Sequence, residues 1–256
     1  MVILPPGAGV LAAALLGLVI GSFLNVLIAR LPEGRNVVIP PSLCPHCSNP
    51  IPWRDNLPLL SFILLGGRCR RCRTPISRRY PAVEILTAAL FMLAYGRRGW
   101  SADLPAALLL IAMLIVIAGI DLDHQIIPHV LTLPGIAVGV LANLATGHVP
   151  WVDALLGILL GGGIFFVTIL ASRGGMGGGD MNLGAMLGAF LGWKLGLLAV
   201  LLAVFAGGLV AMGLLALGRK GRKDPVPFGP FLALGGTVSL LWGDRLLDWY
   251  LGTFIG

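Results

Sequence analysis

Long apolar runs separated by short polar breaks dominate this chain, and several reach the ~20 residues that cross a bilayer as a helix. The pattern predicts spans over 8–29, 81–97, 103–120, 130–147, 152–172, 181–193, 196–218 and 229–251. The sixth is short, and its boundary with the seventh is weakly marked. One long polar segment, 31–80, interrupts the series between the first two spans. The expected fold class is therefore an all-α polytopic membrane protein with about eight transmembrane helices.

Composition agrees with the pattern. The 256 residues are 57% hydrophobic and 11% charged, with mean hydropathy +0.94; soluble domains usually carry roughly 25% charged residues. No Lys or Arg precedes the first apolar run, so it reads as an uncleaved helix and not as a signal peptide. The first basic residue, Arg30, follows that run. With the N-terminus outside, 14 of the 18 Lys and Arg fall in cytoplasmic segments: the stretch Arg30 to Arg79, then Arg173, then "RKGRK" at 219–223. Arg97, Arg98, Lys194 and Arg245 fall outside, and the bias still favours this orientation. The net charge of +7 is thus read as membrane topology, with lipid as the neighbour and no nucleic acid.

Glycine spacing predicts close helix packing. Gly17 and Gly21 form a GxxxG pair, and Gly184, Gly188, Gly192 and Gly196 recur every fourth residue, on one face of a helix. Ser22 and Asn25 share a helical face and are expected to hydrogen-bond another helix.

The four cysteines all lie in the polar segment, as "CPHC" at Cys44 to Cys47 and "CRRC" at Cys69 to Cys72. Paired CxxC turns resemble a zinc ribbon and supply the four thiolates of a tetrahedral structural site. Neighbouring Arg68, Arg70, Arg71 and Arg73 favour thiolates. Free or redox-active thiols are the alternative; disulfides are disfavoured in a cytoplasmic loop. His46 is a spare candidate ligand.

Acids beside membrane spans are costly and mark functional sites. Glu84, in "RRYPAVEILTA", opens the second span and is expected to cap it or dock the loop. "GIDLDHQIIPH" holds Asp121 and Asp123 at the end of the third span, and "GGMGGGD" holds Asp180 at the start of the sixth. Asp121 and Asp180 are distant in sequence but expected at the same depth. Two close carboxylates share one proton, so one can take a proton from water while the other gives one to a carbonyl. That is aspartic protease chemistry. An ion-coupled transporter using Asp121, Asp123 and Asp180 is the rival reading, and a non-catalytic membrane scaffold is a third.

"GSFLNVLIARLP", "CPHC…CRRC", "RYPAVEILTA", "IDLDHQIIP", "GMGGGD" and "VPFGPFLALGG" occur in the order typical of bacterial type IV prepilin peptidases, which the chain resembles from about residue 20 to 240. The resemblance implies a GxGD-type membrane aspartyl protease with Asp121 and Asp180 as its catalytic pair and Asp123 as a bystander. It implies removal of the basic leader from type IV prepilins or the pseudopilins of type II secretion, at the cytoplasmic face of the bacterial inner membrane. It also implies methylation of the new N-terminus by S-adenosylmethionine, associated with the cysteine loop; no residue pattern here independently marks that cofactor's site. The expected organisation is a first helix (1–30), a four-cysteine loop (31–80) and a helical peptidase domain (81–256). Two positions depart from the family pattern: His129 stands where Asp is common, and Asn182 where Lys often follows the second catalytic Asp.

Overall fold

The computed structural model describes the chain except residues 1–5, 40–41, 172–176, 219–225 and 255–256. Outside two isolated bridges, no strand forms among the described residues. The chain is helical and divides into two compact units, Met1–Leu104 and Pro105–Gly256. Among the described residues, five helices are long and apolar enough to cross a membrane: Gly7–Arg30, Leu104–His124, His129–Thr146, Trp151–Ala171 and Gly178–Ala216.

The first unit holds α1 (Pro6–Arg30), a 3-10 turn at Trp53–Asp55, α2 (Leu60–Leu64) and α3 (Arg79–Arg98). α1 and α3 run antiparallel with their backbones touching. A Cβ on Gly17 would stand 2.5 Å from Ala88 Cα, and one on Gly21 would stand 2.8 Å from Glu84 Cα. Only glycine permits that approach, as the GxxxG spacing predicts. Asn25 behaves as expected: its side-chain amide donates to the Tyr80 carbonyl at 3.1 Å, across to α3.

The second unit holds α4 (Leu104–His124), α5 (His129–Thr146), α6 (Trp151–Ala171), α7 (Gly178–Ala216) and α8 (Gly229–Phe254). α4 is its core helix: Leu110, Ile111, Leu114, Ile117 and Ile120 are fully buried. α6 and α7 cross through glycine on both sides. Gly161 abuts the Gly184 carbonyl, and Gly188 abuts the Gly157 carbonyl.

α7 resolves the weak boundary between the sixth and seventh predicted spans. Gly192 has φ 74° and ψ 178°, outside the helical region and open mainly to glycine. Residues eight apart in a straight helix are separated by about 12 Å of rise. Here a Cβ on Gly196 would lie 3.2 Å from Gly188 Cα, so the chain folds back at the break. The expected four-glycine face is thus corrected: Gly184 and Gly188 face α6, Gly192 makes the turn, and Gly196 lies on the returning arm. The Asn143 amide donates to the Ala189 and Phe190 carbonyls at 2.9 and 3.2 Å. Ser239 donates to the Leu195 carbonyl at 2.6 Å. The Asn143 bonds serve carbonyls that the break leaves without a helical partner, as a bilayer requires.

Gly188→Leu is expected to force α6 and α7 apart and lower the Tm in detergent by roughly 5 °C or more. Gly163→Ala is the control, because nothing lies within 4 Å of its Cβ position. Equal melting of the two variants would contradict the glycine contact.

Candidate functional site

Two clusters of functional side chains stand out, one in each unit.

In the second unit, Asp121 sits in the last turn of α4 and is 4% exposed. Its Oδ2 accepts the backbone N–H of Gly229, the first residue of α8, at 2.8 Å. A helix N-terminus offers unpaired N–H groups and a partial positive charge, so a carboxylate is at home there. A Cβ at Gly229 would lie 2.7 Å from that same oxygen. Phe228 packs edge-on against Phe165 at 5.9 Å, which holds the Phe228–Gly229 corner in place. The preceding residues of the α4 end close with Gln125 in the left-handed region, φ 54°, its N–H donating to the Asp121 carbonyl.

Asp180 is the third residue of α7, half-buried, and its carboxylate is near enough to Asp121 for the two charges to interact. Gly179 lies against Ile127, where a Cβ would come within 2.7 Å of the Ile127 Cβ. Asp123, two residues beyond Asp121, is exposed. The structure therefore brings Asp121 and Asp180 together and leaves Asp123 to the side. Arg173 to Met176, the start of the glycine-rich stretch, lie outside the described residues.

The two departures from the family pattern are one contact. Asn182 Nδ2 and His129 Nδ1 are 2.8 Å apart, joining the first turns of α5 and α7. Sequence reasoning treated them separately. Sequence reasoning also missed Gly229, although it sits inside the quoted "VPFGPFLALGG".

In the first unit, the four cysteines form a second cluster. Their Sγ atoms all lie within 4.8 Å of one another, and they are the one such metal-ligand group among the described residues. Two equivalent knuckles produce it. Cys44 N–H donates to Asn49 O and Ser48 N–H to Cys44 O; Cys69 N–H donates to Thr74 O and Arg73 N–H to Cys69 O. Ser48 (φ 53°) and Arg73 (φ 58°) turn left-handed at matching places. Cys44 and Cys72 sulfurs stand 3.8 Å apart, too far for a disulfide of ~2.05 Å. Zn–S bonds of ~2.3 Å at the tetrahedral angle give about 3.8 Å between sulfurs. The Thr74 hydroxyl and backbone N–H, donating to Cys72, bring its pKa down to about 6, so it is thiolate at neutral pH. His46 is exposed and outside the cluster. Asp55, on the 3-10 turn, takes a two-pronged ion pair from Arg70 at 2.7 Å, bracing the second knuckle. That pair holds the Asp55 carboxyl below its usual range.

Comparison with known proteins covers both units. The model of the bacterial peptidase A24 N-terminal domain matches residues 15–97, and that of the type IV leader peptidase family matches 108–212. The chain is 41% identical to a prepilin leader peptidase/N-methyltransferase of Aeromonas hydrophila, over 94% of this chain and 93% of the relative. One from Pseudomonas aeruginosa is 38% identical over 96% and 94%. One from Myxococcus xanthus is 44% identical over 81% of this chain and 64% of that protein. No solved structure matches.

Proposed function

The chain belongs to the type IV leader peptidase family, and from that premise we propose that Asp121 and Asp180 are the catalytic pair that cuts the prepilin leader. The observation that carries the assignment is the meeting of the α4 end with the α7 start, which sets these two acids and not Asp123 within electrostatic reach. The ion-coupled transporter draws no support from the family or its relatives.

The chemistry follows from two carboxylates sharing one proton. The ionised member takes a proton from a water held between them, and the water oxygen bonds to the scissile carbonyl carbon. The protonated member gives its proton to the carbonyl oxygen. Collapse of the tetrahedral adduct breaks the C–N bond and releases the new α-amine with a proton. The Gly229 N–H fixes one carboxylate so that its partner and the water can be placed against it.

The same chain N-methylates the amine that cleavage creates, as the names of its relatives imply. S-adenosylmethionine supplies the methyl group; the described residues offer no glycine-rich strand-to-helix turn, and no residue is assigned to it. The four thiolates fit a zinc ion, closed on all sides and therefore structural. The loop that carries them is the part of the chain that serves methyl transfer. The family implies the bacterial inner membrane, and the charge bias of the polar segments supports a cytoplasmic side for that loop and for the aspartates. The substrates are prepilins or pseudopilins.

Asp121→Asn and Asp180→Asn are each expected to slow leader cleavage by about 10²–10⁴-fold while the protein still inserts. Asp123→Asn should stay near wild type. Gly229→Ala, which crowds the Asp121 oxygen, should cost about 10²-fold. The mass of a co-expressed prepilin reads all four. Normal processing by either Asn variant of the pair removes the assignment.

Purified protein is expected to carry about one zinc per chain, and Cys44→Ser with Cys47→Ser to lose it. That double variant should weaken methylation more than cleavage. Aspartate variants should lose both on intact prepilin yet still methylate a pre-cut pilin. Metal analysis and the masses of leader loss and methyl gain separate the outcomes. Equal loss of both activities in the cysteine variant, at equal protein level, would refute the division.

A further inference from the structure

The short helix α2 and the 3-10 turn beside it are not explained by peptide cleavage or by the cysteine cluster. α2 reads Leu60-Ser61-Phe62-Ile63-Leu64. Ser61 is buried and Phe62 packs under Gly67. The opposite face, at the i, i+3 and i+4 positions, is Leu60, Ile63 and Leu64. Ile63 is 71% exposed and Leu64 74%. Trp53, in the adjoining turn, is 80% exposed. The two elements are knotted together: Ser61 Oγ donates to the Arg54 carbonyl at 2.9 Å and accepts the Leu57 N–H at 3.0 Å.

Glu84 fixes how deep this knot lies. Its Oε2 accepts the Leu59 N–H, at the head of α2, at 2.8 Å. Leu59 itself is held at φ 57° and ψ −47°, in a tight turn that closes from Leu60 N–H to the Pro58 carbonyl. A leucine keeps such a conformation only when its surroundings impose it. Glu84 lies five residues into α3 from Arg79, about 7 Å at 1.5 Å per residue. Its Cα also touches Gly21, nine residues and about 13 Å up α1 from Arg30. The head of α2 is therefore pinned below the level at which both helices present their terminal arginines. The offset along α3 is on the scale at which interfacial helices rest, about 5–10 Å into the headgroup and acyl boundary.

Charge points to the same neighbour. Segment 31–80 has eight Arg and two acids, and both acids, Glu33 and Asp55, already pair with Arg35 and Arg70. Arg54, next to Trp53 in sequence, is exposed, as are Arg68, Arg71 and Arg73 in the same segment. An exposed apolar surface that includes Trp, in a segment rich in exposed arginines, is the pattern that binds an anionic bilayer.

We propose that Trp53, Leu60, Ile63 and Leu64 form an interfacial foot of the cysteine loop, embedded in the anionic phospholipid of the bilayer that α1 spans with α3 packed against it. Glu84 is the positioning residue that holds the foot at that depth. The proposal rests on α1 being a span, and not on the peptidase assignment.

The test places a benzophenone amino acid at Leu64, and separately at Leu15 on the exposed side of α1, in full-length protein in nanodiscs of phosphatidylcholine and phosphatidylglycerol. Photolysis followed by mass spectrometry is expected to give lipid adducts at both positions, with the Leu64 adduct reduced several-fold in Glu84→Ala. Adducts at Leu15 with none at Leu64, or a Leu64 adduct to this chain or to another protein, overturn the foot and leave the α1 span standing. No adduct at either position overturns both. A second measurement needs no probe at Leu64. The tryptophan emission lost in Trp53→Phe is expected to be quenched in wild type by lipids brominated near the top of the acyl chain. An unquenched Trp53 contribution overturns the proposal.

Discussion

Inside a bilayer a backbone carbonyl or N–H has no water to bond, and the second unit is organised around that constraint. α7 breaks at Gly192, and the break frees carbonyls in the middle of apolar sequence. The buried amide of Asn143 takes up two of them, on Ala189 and Phe190, and buried Ser239 ties α8 to Leu195 just past the break. With the break, the first arm of α7 has only 14 residues, 178–191, and reaches about 21 Å. The hydrocarbon core is ~30 Å thick. An arm that cannot cross the core carries its polar head, Asp180, within reach of groups that a full span would leave behind.

Glycine contacts then do for the helix pairs what hydrophobic burial does in water. Lipid tails are as apolar as leucine, so packing in a membrane depends on close approach. α1 meets α3 at Gly17 and Gly21, and α6 meets α7 at paired glycines from both helices. These crossings fix the elements on which the polar groups stand. In the first unit the α1–α3 crossing brings Asn25, Ser22 and Glu84 to one level, and the strained start of α2 is tied to it. In the second, the α6–α7 crossing sets the head of α7.

Most of this architecture is legible in the sequence, because hydropathy and the bilayer impose the same length scale. The predicted spans recur as helices with ends within a few residues, and the paired CxxC spacing meets as one cluster. The loop-docking role expected of Glu84 is its bond to Leu59. What escaped reading depends on three-dimensional approach. A GxxxG repeat has the same spacing whether the helix runs straight or folds back, so Gly192 looked like its neighbours. Only its φ of 74° distinguishes it. His129 and Asn182 are 53 positions apart, and nothing in a single sequence says that two departures from a pattern compensate each other. Asp121 and Asp180 were recognisable as acids in costly places; that a backbone N–H from α8 holds one of them was not.

The glycine run before Asp180 has two kinds of glycine in it. Gly179 is forced by packing, since a side chain there would strike Ile127. Gly177 and Gly178 are not, because a Cβ at Gly178 meets nothing within 4 Å and one at Gly177 reaches only the Gly179 nitrogen at 4.0 Å. Gly177 is also extended, with φ −82° and ψ 148°, a conformation open to any residue. Neither sterics nor backbone angle demands glycine at those two positions. What side chains there would remove is the space next to Asp180. A peptide must lie extended to present its scissile carbonyl between two carboxylates, and its backbone needs that space. Ordinary packing accounts for Gly179; under the proposed role of Asp180, the open space at Gly177 and Gly178 leaves room for a substrate strand.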